Sequence, residues 1–384
     1  MKKKKRRQSS VVSWPLSHGQ LATVFAVVLG LTTMTITDAI KKVIERNDLT
    51  SEEAESVLEQ IITGQCTDAQ IASLLTALRM KGETVAELTG FARVMRRKAA
   101  RVRPHTIVST EIGGTQRDAL IDTCGTGGDV SGSFNVSTAT AFVVAGAGVR
   151  VAKHGNRSVS SQCGSADVVE ALGVKIELSP ERIAECVDEV GIGFLHAPLL
   201  HEAMKYVALA RKQMGIRTIF NMLGPLTNPA GANTQVIGVY AEHLTDLLAR
   251  VLGELGSTRA LVVHGSDGLD EITITGESKI TELKNLETST YQVVPEDFGL
   301  ARATLAEIQG GDAGHNGEII LDVLGAERGP RRDIVLLNAA AAFVASSKVS
   351  DLKEGVELAA ESIDSGKALE RLEQLIEFTN RPVA

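Results

Sequence analysis

Residues Ile121–Thr140 read IDTCGTGGDVSGSFNVSTAT, a passage that loosens the backbone with Gly125, Gly127, Gly128 and Gly132 and sets Asp129 among them. Before it, Ala119–Asp122 (ALID) is a short apolar run of strand character. After it, Asn135–Gly148 (NVSTATAFVVAGAG) starts a helix at about Asn135. The glycines therefore occupy a strand-to-helix turn, where backbone N–H groups converge and the helix N-terminus adds its positive dipole end. That combination suits phosphate. It is neither GxxxxGK[ST] nor GxGxxG, and a Gly-rich turn by itself is as often only a tight turn.

The neighbouring segments give the turn its setting. Val149–Ala152 (VRVA), Gln235–Tyr240 (QVIGVY) and Arg259–Gly265 (RALVVHG) are further apolar runs rich in β-branched residues, separated by helical stretches. This alternation predicts an α/β domain with a central, mainly parallel sheet flanked by helices. Ser179-Pro180 opens a helix with Pro at its first position. Pro198–Gly215 reads as one helix ending at a glycine, and Asp333–Ser346 as a buried helix. Ahead of the α/β part, Thr50/Glu53, Thr67/Gln70 and Thr84/Glu87 read as three capping boxes, with Gly64 and Gly82 at helix stops. The expected plan is a small helical domain over 35–103, joined by helices from about 198–222, and a large α/β domain over 104–384.

Composition narrows the function classes. Aromatics are only 3% and the apolar content is mostly Ala, Val, Leu and Ile, which fits layered helices and buried strands. Six of the positive charges sit in MKKKKRR; setting them aside takes the net charge from −7 to −13. An acidic body of this kind disfavours nucleic acid but leaves small anions as ligands. Cys66, Cys124, Cys163 and Cys186 form no CxxC pair, so neither a zinc site nor a disulfide framework is expected, and the thiols fit a reducing cytoplasm. Leu21–Leu31 is too short to span a bilayer, so no membrane partner is expected. Residues 1–34 form an extension, either genuine or the product of a start assigned upstream of Met34.

Three further elements carry candidate chemistry. Lys153–Asp167 (KHGNRSVSSQCGSAD) follows the VRVA strand and supplies Lys153 and Arg157 as cations, Gly155 and Gly164 for backbone access, and Ser158, Ser160, Ser161 and Ser165 as donors. Two donor-rich loops at adjacent strand ends suit a ligand with several phosphate groups. His154 alone reads as a packed histidine in preference to a catalytic base. The pair Asp270-Glu271, if it lies in a loop and not in a regular strand, could hold Mg2+ opposite a diphosphate; taken alone it is a solvated surface pair. Arg211 is either a solvated helical residue or a carboxylate clamp.

Together DTCGTGGD, FNVST, KHGNRSVSS, GSADVVEALG, RTIFNMLGPLTNPAG, HGSDGLDEIT and RDIVLLNAAAA resemble the anthranilate phosphoribosyltransferases, from about Thr35 to the C-terminus. The resemblance implies transfer of a phosphoribosyl group from phosphoribosyl pyrophosphate to anthranilate, in tryptophan biosynthesis, by a cytoplasmic homodimer using Mg2+, two ions in this reading. Matched by motif, the phosphoribosyl pyrophosphate site comprises Gly125, Gly128, Asp129, Ser133, Asn135, Val136, Ser137 and Thr138, then Lys153, His154, Gly155, Asn156, Arg157, Ser158, Val159, Ser160, Ser161 and Ser165. Gly125, Asn156 and Arg211 match anthranilate positions, and Ser137, Asp270 and Glu271 metal positions. His196 and Glu202 depart from the family pattern and concern the anthranilate entrance. A related pyrimidine nucleoside phosphorylase and a nucleic-acid-binding relative of the fold are the other readings. The acidic pair favours the transferase, because a phosphorylase has no pyrophosphate to stabilise.

Overall fold

The computed structural model describes residues 34–105, 119–128, 132–158 and 162–382; the basic N-terminal run and Leu21–Leu31 lie outside them. The described residues open with four helices, α1 (Ile36–Ile44), α2 (Ser51–Ile62), α3 (Asp68–Lys81) and α4 (Val85–Lys98). All three anticipated capping boxes close in both directions, at Thr50/Glu53, Thr67/Gln70 and Thr84/Glu87. Each cap is worth roughly 1 kcal/mol. Gly64 and Gly82 take positive φ just past α2 and α3, where a side chain would be strained. Arg96, on α4, reaches out of this bundle and donates to the carbonyls of Leu226 (2.7 Å) and Leu255 (3.1 Å), with burial lowering its pKa to about 10.

The α/β part then alternates. In chain order it contains β1 (Leu120–Asp122), α5 (Val136–Gly146), β2 (Arg150–Gly155), α6 (Ser165–Ala171), α7 (Pro180–Glu189) and β3 (Ile192–His196). A return to the helical bundle follows through α8 (Ala197–Leu200), α9 (Lys205–Met214) and α10 (Phe220–Leu226). Next come β4 (Thr234–Gly238), α11 (Leu244–Glu254), β5 (Arg259–Gly265), β6 (Ser278–Lys284) and β7 (Glu287–Val293). Four helices finish the chain: α12 (Ala313–Leu324), α13 (Pro330–Ala345), α14 (Leu352–Asp364) and α15 (Lys367–Asn380).

The seven strands are ordered β3-β2-β1-β4-β5-β6-β7, the first five parallel and the last two antiparallel. Successive side chains of a strand serve opposite faces, and this divides the core. Val236, Leu261 and Val263 join α5 and the C-terminal helices on one face. Ile237, Ala260 and Val262 join α11 and the N-terminal helices on the other. The helical bundle is thus packed into the core of one sheet face.

Two expectations are corrected. Pro198–Gly215 is not one helix: α8 stops at Leu200, His201 takes φ −126° and ψ 57°, and a 3₁₀ turn over Glu202–Met204 precedes α9. The His201 ring is buried against His154, and that packing outweighs helix propensity. Strands β3, β6 and β7 were not anticipated. In β6 and β7 the pattern is diluted by Lys, Glu, Ser and Thr, and their two-residue turn uses Asn285-Leu286, both at positive φ, in place of an Asn-Gly signal. Among the described residues no helix is long and apolar enough to cross a membrane.

Gly90 gives a test of how tightly the bundle is built. A Cβ there would meet the Ser51 carbonyl oxygen at 2.4 Å and the Ala54 Cβ at 2.8 Å. In an open helix Gly→Ala stabilises by about 1 kcal/mol. Here overpacking wins, so Gly90→Ala is expected to destabilise by about 1–3 kcal/mol, read as a lower denaturant midpoint.

Candidate functional site

The strand order reverses between β1 and β4, and in an open α/β sheet that crevice, at the carboxyl ends of the strands, is where ligands bind. Every loop singled out above leaves from this edge. Residues 123–135 follow β1, Asn156–Gly164 follow β2 and residues 266–277 follow β5.

The glycine loop is held from below by its neighbours. Thr126 N donates to the Gly238 carbonyl at 2.9 Å, at the end of β4. Gly127 N donates to Asp270 Oδ2 at 2.8 Å. Gly127 and Gly128 have φ of 64° and 79°, so the turn requires glycine at both positions. At Gly125 the need is different: a Cβ would lie 2.5 Å from Asp270 Oδ2.

Lys153 lies at the centre, 3% exposed. Its ammonium donates to the Thr123 carbonyl (2.8 Å) and to Ser137 Oγ (3.2 Å), binding the ends of β1 and β2 to the first turn of α5. Ser137 N in turn donates to Glu271 Oε1 at 3.1 Å. Asp270 and Glu271 therefore lie in a loop, as metal binding requires, and both carboxylates reach toward the donors of the glycine loop and the helix start. Gly125, Ser137 and Glu271 line one small cavity here, with Thr123, Thr140, Val236, Gly238 and Asn338. The carboxylate oxygens of Asp270 and Glu271 are hard oxygen ligands of the kind Mg2+ takes.

Asp122, Cys124 and His154 also come close together, their ligand atoms within 4.8 Å of one another. This trio does not suit a cation. Both Asp122 oxygens are engaged, by His154 N (3.1 Å) and Asn228 Nδ2 (2.7 Å), and the Lys153 ammonium stands beside them. Burial pushes the Asp122 carboxyl up to about 6 and the Cys124 thiol up to about 12.

The second loop folds on itself. Asn156 N donates to Ser165 Oγ (3.2 Å), and Asp167 accepts from Ser158 N (3.0 Å) and Gly164 N (2.9 Å). The Arg157 guanidinium is paired with Asp167 (3.0 Å) and Glu170 (2.8 Å), which raise its pKa. Asn135 stands at the N-cap of α5 and accepts from Asn316 Nδ2 at 2.9 Å. Ser133 bridges to Gln309. Val136 is a core residue and Thr138 is buried, so the backbone and not the side chain of Val136 is what it can offer a ligand. Asp129, Val159, Ser160 and Ser161 lie outside the described residues.

Helix α10 connects this edge to the helical side. Phe220, at its start, lies under Arg211, whose guanidinium is 5.5 Å from the ring centroid and has its pKa lowered by burial. Gly224, about one turn on, offers its carbonyl to His154 Nδ1 at 3.1 Å. Arg211 and the strand that leads to Asn156 are thus separated by the length of one short helix. His196 ends β3, buried, and Glu202 opens the 3₁₀ turn. Sequence reasoning missed Asp122 and Asn228, which brace the strand ends, and Arg217 and Tyr240, which flank the glycine loop. Asp122, Arg217 and Asn228 lie inside the motifs DTCGTGGD and RTIFNMLGPLTNPAG, and the Asn-Pro turn marks Asn228 further; Tyr240 showed only as part of a strand-like run.

Known proteins place this architecture. Residues 37–99 match the glycosyl transferase family's helical bundle domain and residues 117–369 its a/b domain. Anthranilate phosphoribosyltransferase of Symbiobacterium thermophilum is 56% identical over 89% of this chain and 97% of its own length. The chain belongs to the anthranilate phosphoribosyltransferase family. The Geotalea uraniireducens relative of the same name is 55% identical over 90% and 99%. Among solved structures, anthranilate phosphoribosyltransferase from Thermus thermophilus superposes with a TM-score of 0.83 at 43% identity, covering 90% of this chain and all of that one. The Saccharomyces cerevisiae family member, in complex with PRPP and Mg, gives 0.79 at 29% identity, covering 90% and 97%.

The two stacked imidazoles set a pH dependence. Burial lowers His154 to about 3 and His201 to about 4, from an ordinary 6.5, and their ring centroids are 5.2 Å apart. In the unfolded chain both take up protons below pH 6.5, while the folded protein keeps them neutral. Their stabilisation is therefore complete above 6.5 and declines as pH falls toward 4, by about 1.4 kcal/mol per pH unit for each ring. Denaturant midpoints between pH 7 and 5 should drop steeply, and His201→Gln should flatten that slope even if it lowers the midpoint at pH 7.

Proposed function

We infer that this chain transfers the phosphoribosyl group of phosphoribosyl pyrophosphate to the amine of anthranilate, releasing pyrophosphate, in L-tryptophan biosynthesis. The observation that carries this reading is the convergence of the glycine loop, the α5 N-terminus, buried Lys153 and the Asp270-Glu271 pair at one sheet edge. Similarity to relatives that bear this activity in their names, and to a yeast relative solved with PRPP and Mg, supports it.

In this reading the α/β lobe (104–384) holds the donor substrate. Gly125, Gly128, Asp129, Ser133 and the Asn135–Thr138 turn, with Lys153–Ser161 and Ser165, surround the phosphoribosyl pyrophosphate. Asp270, Glu271 and Ser137 hold Mg2+, two ions in the fullest form of the proposal. When bound there, Mg2+ supplies the positive charge that stabilises the departing diphosphate. Lys153 adds a fixed positive charge on the same side of the site. The helical lobe (35–103, with 198–222) brings Arg211 to the anthranilate carboxylate, opposite Asn156 and Gly125. An aromatic amine is neutral at pH 7 and needs no strong base, and His154, held neutral by burial, is placed to pack and not to donate charge. Catalysis then rests on orienting two substrates across one cleft.

The protein works in the cytoplasm as a homodimer in this proposal. Ile44, Met80, Tyr206 and Leu209, on helices of the bundle, are exposed large apolar side chains that a second copy would cover. The purified protein mixed with anthranilate, phosphoribosyl pyrophosphate and Mg2+ should deplete anthranilate fluorescence; no depletion would remove the reading.

Two variants divide the labour. Asp270→Asn with Glu271→Gln should abolish turnover or raise the Mg2+ requirement steeply, with a melting temperature near that of the parent. An unaltered Mg2+ titration would take the pair out of the metal site. Arg211→Ala should raise the KM for anthranilate about 10- to 150-fold, the worth of a charged hydrogen bond, and the KM for phosphoribosyl pyrophosphate far less. Both KM values unchanged from the parent, beside a lowered melting temperature, would make Arg211 a structural residue.

A further inference from the structure

We propose that Arg217 is a positioning residue that holds the Gly125–Gly128 loop in its anion-receiving shape from the helical side; this rests on the reading of that loop as the diphosphate site. Arg217 lies just beyond α9, two residues past the left-handed Gly215 that stops it. Its guanidinium is stacked on Tyr240, Cζ 4.4 Å from the ring centroid, and Nη2 donates to the Gly128 carbonyl. A Cβ on Gly128 would rest against Arg217 Nε at an ordinary contact distance of 3.4 Å, so it is the φ of 79°, and not the closeness of the guanidinium, that asks for glycine here.

The loop needs such a tie. Consecutive glycines at positive φ lose more conformational entropy on ordering than any other residues, so their shape must be imposed from outside. Thr126 is fixed through its N–H on the Gly238 carbonyl and through Tyr240 N, which donates to Thr126 Oγ1 at 3.2 Å. Gly127 is fixed by Asp270. At Gly128 the tie is Arg217. It also does what an anion site requires of its carbonyls: the negative end of the Gly128 peptide is pointed at a cation and kept from facing phosphate. No carboxylate among the described residues forms an ion pair with Arg217. The same Tyr240 thus carries the cation with its ring and braces Thr126 with its backbone, which couples the two sides of the loop.

Calorimetric binding of phosphoribosyl pyrophosphate with Mg2+, steady-state KM values and amide hydrogen exchange test this together. In Arg217→Ala the Kd and KM for phosphoribosyl pyrophosphate should rise about 10- to 100-fold, with the anthranilate KM within about threefold. Amides of residues 125–128 should exchange faster in the free protein, before any substrate is added. Arg217→Lys keeps the charge but loses the flat stack, and should fall between parent and Ala variant; it also serves if the Ala variant fails to fold. Tyr240→Ala should shift phosphoribosyl pyrophosphate binding the same way. Unchanged exchange in the loop, unchanged phosphoribosyl pyrophosphate affinity, or a rise mainly in the anthranilate KM would each overturn the proposal. Failure of the parent protein itself to bind phosphoribosyl pyrophosphate would instead overturn the reading on which it rests.

Discussion

A lysine ammonium removed from water has to be given oxygen partners or it destabilises the fold by several kcal/mol. Lys153 meets this demand with the Thr123 carbonyl and Ser137 Oγ, and with the Asp122 carboxylate nearby. Those partners belong to three different segments: the end of β1, the loop after it, and the first turn of α5. The charge therefore cannot be buried unless the sheet edge and the helix start are in register. Asp122 extends the same constraint to β2 through His154 N and to the return segment through Asn228, which also donates to the Ala152 carbonyl at 2.9 Å. One buried cation thus fixes the geometry of the edge.

The sheet topology explains why the helical side of the crevice is built from a distant part of the chain. After β3 the chain leaves the α/β layers, crosses into the helical bundle with α9 and α10, and returns at β4, beside β1. That excursion occurs at the point where strand order reverses. It brings Arg217 against the glycine loop and Arg211 onto Phe220 at the start of α10. Helix α10 carries Gly224 to His154 and Phe220 to Arg211, and so joins the helical side to the strand that leads into the second loop.

The sequence by itself determined those features whose causes are local. Capping boxes, glycine stops, Pro180 at a helix start and the strand–glycine turn–helix at Leu120–Gly146 depend on residues three or four apart, and they fold as read. The placing of the glycine loop between β1 and the start of α5 was likewise visible, because a strand, a glycine-rich turn and a helix in sequence need no distant partner to be recognised. Tertiary structure alone decided the rest. His201 interrupts a helical pattern because its ring is buried beside His154, some fifty positions away in sequence. β6 and β7 form because β5 offers an edge to pair with, although their own patterns are weak. Whether Asp270 and Glu271 are surface charges or a convergent pair depends on which groups the loop after β5 meets, namely the amides of Gly127 and Ser137, more than 130 residues earlier. Arg217 stands in a motif that the sequence shows, but its contact could not be read there for the same reason. Its role lies in its approach to Gly128 and Tyr240, and long-range contacts of that kind leave no periodicity for a linear pattern to show.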